Sequence, residues 1–115
     1  MPLDAFLART KGRLLCGGLR YVSGGRPVEK IACCGGSGGS MLEAAVAAGC
    51  DTYVTADLKY DHFLSARELG INLIDADHFC TENVVVPKLK ARLDIAFPAL
   101  EIRISERHRQ TVQFY

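Results

Sequence analysis

The stretch Ile74-Asp75-Ala76-Asp77-His78-Phe79-Cys80-Thr81-Glu82 gathers the side chains of this chain best suited to chemistry. His78 and Glu82 lie four residues apart, so one helical turn sets an imidazole and a carboxylate on a single face. A nitrogen and an oxygen donor of this kind suit Zn²⁺, Mn²⁺ or Fe²⁺. Asp75 or Asp77 is placed to accept a hydrogen bond from the other ring nitrogen and so fix the tautomer. The same spacing also describes a solvated surface pair, and two ligands leave a catalytic centre short of the three it usually takes from protein. The remaining histidines are His62 and His108. His62 follows Asp57, Lys59, Tyr60 and Asp61 and reads either as a neighbour of the same sheet edge or as a helix-surface residue beside Asp61.

A second candidate is the loop Gly35-Gly36-Ser37-Gly38-Gly39, between a strand and a helix start, where backbone N–H groups and the helix dipole favour an anion. Gly36, Ser37, Gly38 and Ser40, with Lys59 nearby, are the candidate contacts to an anionic part of a ligand. The specific nucleotide motifs fail. The loop contains no Lys, and Met41 stands where a dinucleotide fingerprint needs its third glycine. The competing reading is a tight turn whose glycines supply positive φ or close backbone packing.

These residues need elements to carry them. Leu3, Phe6, Leu7, Leu14 and Leu15 predict an amphipathic helix over 3–15, stopped by Gly17-Gly18. Leu19–Ser23 and Val28–Cys34 read as strands joined by the turn Gly24-Gly25-Arg26-Pro27 and able to pair antiparallel. Ser40 and Glu43 form a capping-box signature, which predicts a helix over 41–48 ended by Gly49. Thr52–Thr55 is a buried strand, and Asp57 is positioned to cap a helix over 58–69 ended by Gly70. Ile71–Ala76 is a further strand. The helix that follows continues to Phe97, with a kink or split at Pro87, and Leu100–Ser105 reads as a last strand. Alternation of this kind predicts an α/β fold: a three-layer αβα arrangement around a mostly parallel or mixed sheet, the opening strands adding an antiparallel edge.

The 115 residues suffice for one domain, with no linker or low-complexity tract. A formal net charge of +1, with both signs interspersed, provides no long-range field for nucleic acid or an acidic membrane. Arg103, Arg107 and Arg109 are the nearest approach to a basic patch and read more simply as a solvated strand end. Asp4, Arg9, Lys11 and Arg13 interrupt residues 1–15, which therefore do not read as a secretory signal. No run approaches the ~20 apolar residues of a membrane span. The five cysteines lack CxxC spacing and suit small buried residues of a reducing compartment, so a cytoplasmic location is expected.

Taken in order, four blocks resemble the Nif-three-like family, also named as GTP cyclohydrolase 1 type 2 homologues. They are Ala32-Cys33-Cys34-Gly35-Gly36-Ser37-Gly38-Gly39-Ser40, Thr55-Ala56-Asp57-Leu58-Lys59-Tyr60, Asn72-Leu73-Ile74-Asp75-Ala76 and Asp77-His78-Phe79-Cys80-Thr81-Glu82-Asn83. The resemblance spans nearly the whole chain but only the carboxyl-terminal half of the family's fold. Its last block is the most specific. Two positions depart from the pattern: Asp77 stands for the usual glycine before the histidine, and Ala56 for a common glycine before Asp57.

The resemblance implies a dinuclear centre of two divalent ions (Zn, Mn or Fe) with five protein ligands. It assigns two of these here, His78 and Glu82. A histidine pair and an aspartate would come from an amino-terminal half that this sequence lacks, which implies either a truncated chain or a half-protein completed by a separate partner. The activity implied is that of a metal-dependent hydrolase, with a purine nucleotide as the substrate suggested by the family name. The alternative is a non-enzymatic metal-binding or regulatory module working as a toroidal homo-oligomer, a hexamer-like ring by resemblance. A plain phosphate-binding module would rest on the glycine loop alone.

Overall fold

A computed structural model describes residues 1–115. In chain order the elements are α1 (Leu3–Leu14), β1 (Arg20–Val22), β2 (Ile31–Ser37), α2 (Leu42–Ala47) after a 3-10 turn at Gly39–Met41, β3 (Thr52–Ala56), α3 (Tyr60–Leu69), β4 (Asn72–Asp75), α4 (His78–Asn83) and α5 (Val85–Ala96). The four strands form one mixed sheet in the order β1-β4-β3-β2. β2, β3 and β4 run parallel, and β1 adds an antiparallel edge on β4, with Tyr21 opposite Ile74. The α/β class, the antiparallel edge and helices on both faces are as expected.

The central strand β3 is buried at every residue, and successive side chains leave opposite faces of the sheet. Tyr53 and Leu73 join Leu42, Ala45, Leu58, Ala66 and Ile71 under α2 and α3. Val54 and Ile74 join Cys16, Ala76 and Cys80 on the other face, under the apolar stripe Leu3, Phe6, Leu7 and Leu14 of α1. These two clusters are the outer interfaces of a three-layer arrangement.

The opening strands do not pair with each other. Buried Asn72 accepts from the Gly24 N–H at 2.9 Å and donates to the Arg26 carbonyl at 3.1 Å, holding the connection across the start of β4. A Cβ at Gly24 would lie 2.5 Å from the Gly70 backbone, so the chain passes there only as glycine. The connection then crosses to the far side of the sheet, where Asp51 accepts from the Glu29 and Lys30 N–H groups and sets β2 beside β3.

Three further expectations are corrected. No capping box forms at Ser40, which lies exposed inside the 3-10 turn; α2 begins two residues later, with Met41 at its N-cap. Asp57 does not cap α3, which starts at Tyr60 with the His62 ring accepting from the Lys59 N–H at 3.0 Å. Leu100–Ser105 is not a strand and has no sheet partner. The expected split near Pro87 does occur, between α4 and α5 at Val84, leaving the proline in the first turn of α5 where its missing N–H is not needed.

A candidate metal half-site at the carboxyl edge of the sheet

β3 and β4 run parallel and end side by side, and the chain leaves each through a residue with positive φ: Asp57 at 54° and Asp77 at 65°. The carboxyl edge of such a sheet is where α/β folds place their sites. Asp77 is the N-cap of α4, its side chain accepting from the Cys80 N–H at 3.0 Å. That cap starts a single-turn helix whose outward face carries His78 and Glu82, the His78 Nε2 lying 3.3 Å from the Glu82 Oε2. The shared face expected from the spacing is present.

The orienting carboxylate is neither Asp75 nor Asp77. Asp57 Oδ2 lies 2.6 Å from His78 Nδ1, which leaves Nε2 for the side of Glu82. Asp75 is otherwise engaged: buried, it pairs with Arg20 and accepts from the Leu58 N–H at 3.1 Å, pinning β1 and the β3–α3 turn to the end of β4. Asp77 spends its carboxylate on the helix cap and on the Gln110 amide. The hydrogen bond to Asp57 raises the His78 pKa above the ordinary imidazole value; partial desolvation opposes it, and the charges of Asp57 and Glu82 reinforce it.

The glycine loop belongs to the same place. The Gly36 N–H donates to Thr81 Oγ1 at 2.9 Å, and the Thr81 hydroxyl donates to the His78 carbonyl at 3.0 Å, joining loop and helix. Gly36 has φ 67°, and a Cβ there would lie 2.5 Å from Glu82 Oε1 and 3.2 Å from His78 Nε2. Its hydrogen atom is therefore what leaves room for the His78 and Glu82 side chains. Gly38 is closed in by the sheet, its carbonyl accepting from the Tyr53 hydroxyl at 2.7 Å. Ser37, Ser40 and Lys59 are exposed and do not line the cleft around His78. His62 packs against Gly39, where a Cβ would strike its ring at 2.4 Å, and stands outside the site.

That cleft, about 600 Å³, is walled by Arg20, Asp57, Asp75, Asp77, His78 and Glu82 on one side. The other wall is the chain's carboxyl-terminal tail, which sequence reasoning missed. His108 bonds Asn83 at 3.0 Å and packs at a 42° tilt against Phe79, 4.9 Å between ring centroids, while the Phe114 ring lies on Gly17 and Gly18. The tail lacks periodicity, so the only sequence signal was the glycine pair, read as a helix stop when it also forms a bed for an aromatic ring.

No cysteine joins the half-site. All five are free thiols; Cys16, Cys50 and Cys80 are buried, and Cys33 is exposed on the edge strand. Burial, with Cys80 adjacent, pushes the Cys16 thiol up to about 12, so it stays protonated. Asp57, His78 and Glu82 come together, but no group of three or more His, Cys, Asp or Glu side chains is arranged so that it could hold a metal ion. The donors present fit a divalent ion in type, with an imidazole held by one carboxylate beside a second. No helix is long and apolar enough to cross a membrane.

The chain is similar in sequence and fold to known proteins. A Staphylococcus aureus protein named GTP cyclohydrolase 1 type 2 homolog is 38% identical over 94 residues, covering 81% of this chain and 25% of its own length. A homologue of the same name from Pseudomonas aeruginosa is 40% identical over 68 residues, 59% of this chain and 27% of its own. A crystal structure of a Staphylococcus aureus protein superposes on the whole chain with TM-score 0.89 at 31% identity, using 39% of its own chain. A Bacillus cereus protein related to NIF3 does so at 0.80 and 30%, using 33%. The chain thus spans about a quarter of the length of these curated relatives. The family model Duf34/NIF3 (NGG1p interacting factor 3) matches residues 1–111, and the chain belongs to that family.

Proposed function

We propose that this chain supplies two ligands, His78 and Glu82, to a dinuclear divalent-metal centre of hydrolase type, whose other ligands come from parts of the family fold outside these 115 residues. One observation carries the reading: His78 Nδ1 is held by Asp57 at 2.6 Å while Nε2 turns toward Glu82. A carboxylate behind a ring nitrogen is the arrangement that fixes the tautomer and raises the basicity of a metal-binding imidazole. Gly36 supports it by leaving the space in front of both donors free of side chain.

Bound ions would be Zn²⁺, Mn²⁺ or Fe²⁺ by donor type, and a pair of them supplies hydroxide at neutral pH and polarises the group attacked. The residues of this chain have three tasks there. His78 and Glu82 hold the metal, Asp57 keeps the imidazole in register, and Thr81 locks the glycine loop against α4. The name borne by the relatives, GTP cyclohydrolase 1 type 2 homolog, points to hydrolysis of a nucleotide as the class of reaction. Ring-like self-association and a cytoplasmic location belong to the same reading.

The test is metal uptake. The purified chain, dialysed against Mn²⁺ or Zn²⁺, is compared with His78→Ala and Glu82→Ala for bound metal. Both variants should lose it, and Asp57→Asn should weaken affinity by about 10- to 100-fold. Equal metal content in the unaltered chain and the two alanine variants would overturn the proposal.

A further inference from the structure

Arg20 is the only Lys or Arg side chain in the wall of the cleft that holds His78 and Glu82. It stands on β1 directly opposite Asp75 of β4, and the two side chains pair across the strands. Its Nη2 donates to Asp75 and also to the Leu58 carbonyl at 2.9 Å, while its Cζ lies 5.5 Å from the centroid of the Phe63 ring. Asp75 is held in turn by the Leu58 N–H at 3.1 Å and the Asp77 N–H at 3.2 Å. The guanidinium is therefore anchored through one nitrogen to a carboxylate that is itself anchored.

Pairing with Asp75 does not use up this side chain. A guanidinium carries donors on every nitrogen, and both hydrogen bonds of Arg20 leave from Nη2, so the Nε and Nη1 donors are free. The Arg20 side chain is 62% exposed, where that of Asp75 is 7% exposed. The place of the free donors follows from the turn between β3 and α3. Arg20 binds the carbonyl of Leu58, and the neighbouring Asp57 holds His78 Nδ1. Adjacent residues of one turn thus carry the guanidinium and the candidate metal ligand, and both line a cleft of about 600 Å³, a size that takes a small molecule. Lys59, the cation expected beside the glycine loop, lies outside that cleft.

We propose that Arg20 binds the anionic oxygen group of the substrate, a phosphate or a carboxylate, through its Nε and Nη1 donors. Asp57, Asp77 and Glu82 make the rest of this wall repel an anion, and Arg20 is the fixed cation that offsets them. Charge-assisted hydrogen bonds to an oxyanion are the strong kind, and a guanidinium already held by Asp75, Leu58 and Phe63 has little freedom left to lose on binding. Asp75 is then a positioning residue that aims Arg20. The inference deepens the half-site reading and rests on it for the reaction that the bound group would undergo.

The test titrates inorganic phosphate into the metal-free chain at constant pH and ionic strength and follows the arginine Nε–H signals by NMR. The Arg20 signal should shift and saturate, while those of Arg9 and Arg92, exposed on α1 and α5, drift without saturating. Arg20→Lys keeps a cation opposite Asp75 and should weaken phosphate binding by about tenfold or more, with the β3 and β4 amides still protected from exchange. Should that variant fail to fold, the Arg20 signal of the unaltered chain decides alone. Lys59→Ala should leave phosphate affinity unchanged. Acetate in place of phosphate tells the two kinds of group apart, since the anion that saturates the Arg20 shift at lower concentration is the kind the site is built for. An Arg20 signal that saturates with neither anion would overturn the proposal, as would equal phosphate affinity in the unaltered and Arg20→Lys proteins. Binding lost in Lys59→Ala and kept in Arg20→Lys would overturn it too, by moving the anion to the glycine loop. Mn²⁺ content of the unaltered chain separates this inference from the half-site: an Arg20 response without bound metal keeps the anion contact and sinks the half-site, and metal without an Arg20 response does the reverse.

Discussion

Residues 3–83 and residues 84–115 obey different rules of construction. In the first region every strand has its partner, apolar faces meet across both sides of the sheet, and buried polar side chains are satisfied. In the second, α5 adds no side chain to either core cluster, whereas α1, equally long, packs four on one of them, and the segment after α5 has no ladder. Along α5, charged residues at 88, 90, 92 and 94 alternate with apolar ones at 89, 91, 93 and 95. On a helix that rhythm spreads apolar side chains around the axis rather than along one stripe. A helix so composed can be covered on two sides, and this chain covers part of one. The contrast teaches that a shared family fold need not be divided into pieces that are each complete.

The comparison breaks most visibly in stability. Asp51 accepts from the Glu29 and Lys30 N–H groups and from the Thr52 hydroxyl. Asp51→Ala leaves those donors at the base of β2 and β3 without an acceptor and should destabilise by about 3 kcal/mol in urea unfolding. Ile95→Ala, on α5, should change stability by less than about 0.5 kcal/mol. Comparable losses at the two sites would show α5 to be integral to the folded core. Burial alone would raise the Asp51 pKa, but the hydrogen bonds from Lys30, Thr52 and Glu29 hold it below the ordinary carboxylate value. Its stabilisation is therefore present above the unfolded aspartate pKa and is lost as pH falls through the lower folded one.

The glycine loop sharpens the comparison at the site. Gly36→Ala places a methyl group 2.5 Å from Glu82 Oε1 at a φ of 67°. It should lower Mn²⁺ uptake by about tenfold or more while the amides of β3 and β4 stay protected. Undiminished uptake would show that Glu82 is not held where the loop places it.

How much of this was legible in the sequence follows from the range over which each feature is decided. The buried runs 52–55 and 71–76, the stops at Gly49 and Gly70, and the common face of His78 and Glu82 are local, and each is found as read. Asp57 is different. Its link to His78 joins residues 21 apart and depends on β3 and β4 ending together, so the nearer Asp75 and Asp77 looked the better partners. The place of β2 was hidden for a like reason, since Asn72, 48 residues on from Gly24, steers the connection. Leu100–Ser105 alternates as a strand does and is not one, because a strand also needs a partner and no strand of this chain pairs with it.

Asp77 tests whether the half-site tolerates strain for the sake of its helix. Its φ of 65° and ψ of 136° belong to glycine, and such a conformation costs a side-chain-bearing residue about 1–3 kcal/mol. The carboxylate offsets this by capping Cys80 N–H, worth about 1 kcal/mol. Asp77→Gly should therefore be neutral to stabilising by about 1 kcal/mol, whereas Asp77→Ala keeps the strain, loses the cap and should destabilise by about 1 kcal/mol. Thermal unfolding of the two variants decides the point. A destabilised glycine variant would mean that the cap and the Gln110 contact outweigh the strain.

The smallest effect is the most direct reading of the site. With His78 Nδ1 hydrogen-bonded to Asp57, the folded chain binds a proton at this ring more readily than the unfolded one. The stabilisation this provides is fully present below the unfolded imidazole pKa and disappears as pH rises through the higher folded value. An NMR titration of the metal-free protein should find His78 titrating above the ordinary imidazole value, and Asp57→Asn should bring it back toward that value. Since the proton and a metal ion compete for the same ring, the same substitution should let metal bind at lower pH even as it weakens the affinity reached when the ring is neutral. Those opposed shifts distinguish a carboxylate that orients a ligand from one that merely lies beside it. An unmoved His78 titration in Asp57→Asn would assign the raised value to Glu82 and remove Asp57 from the half-site.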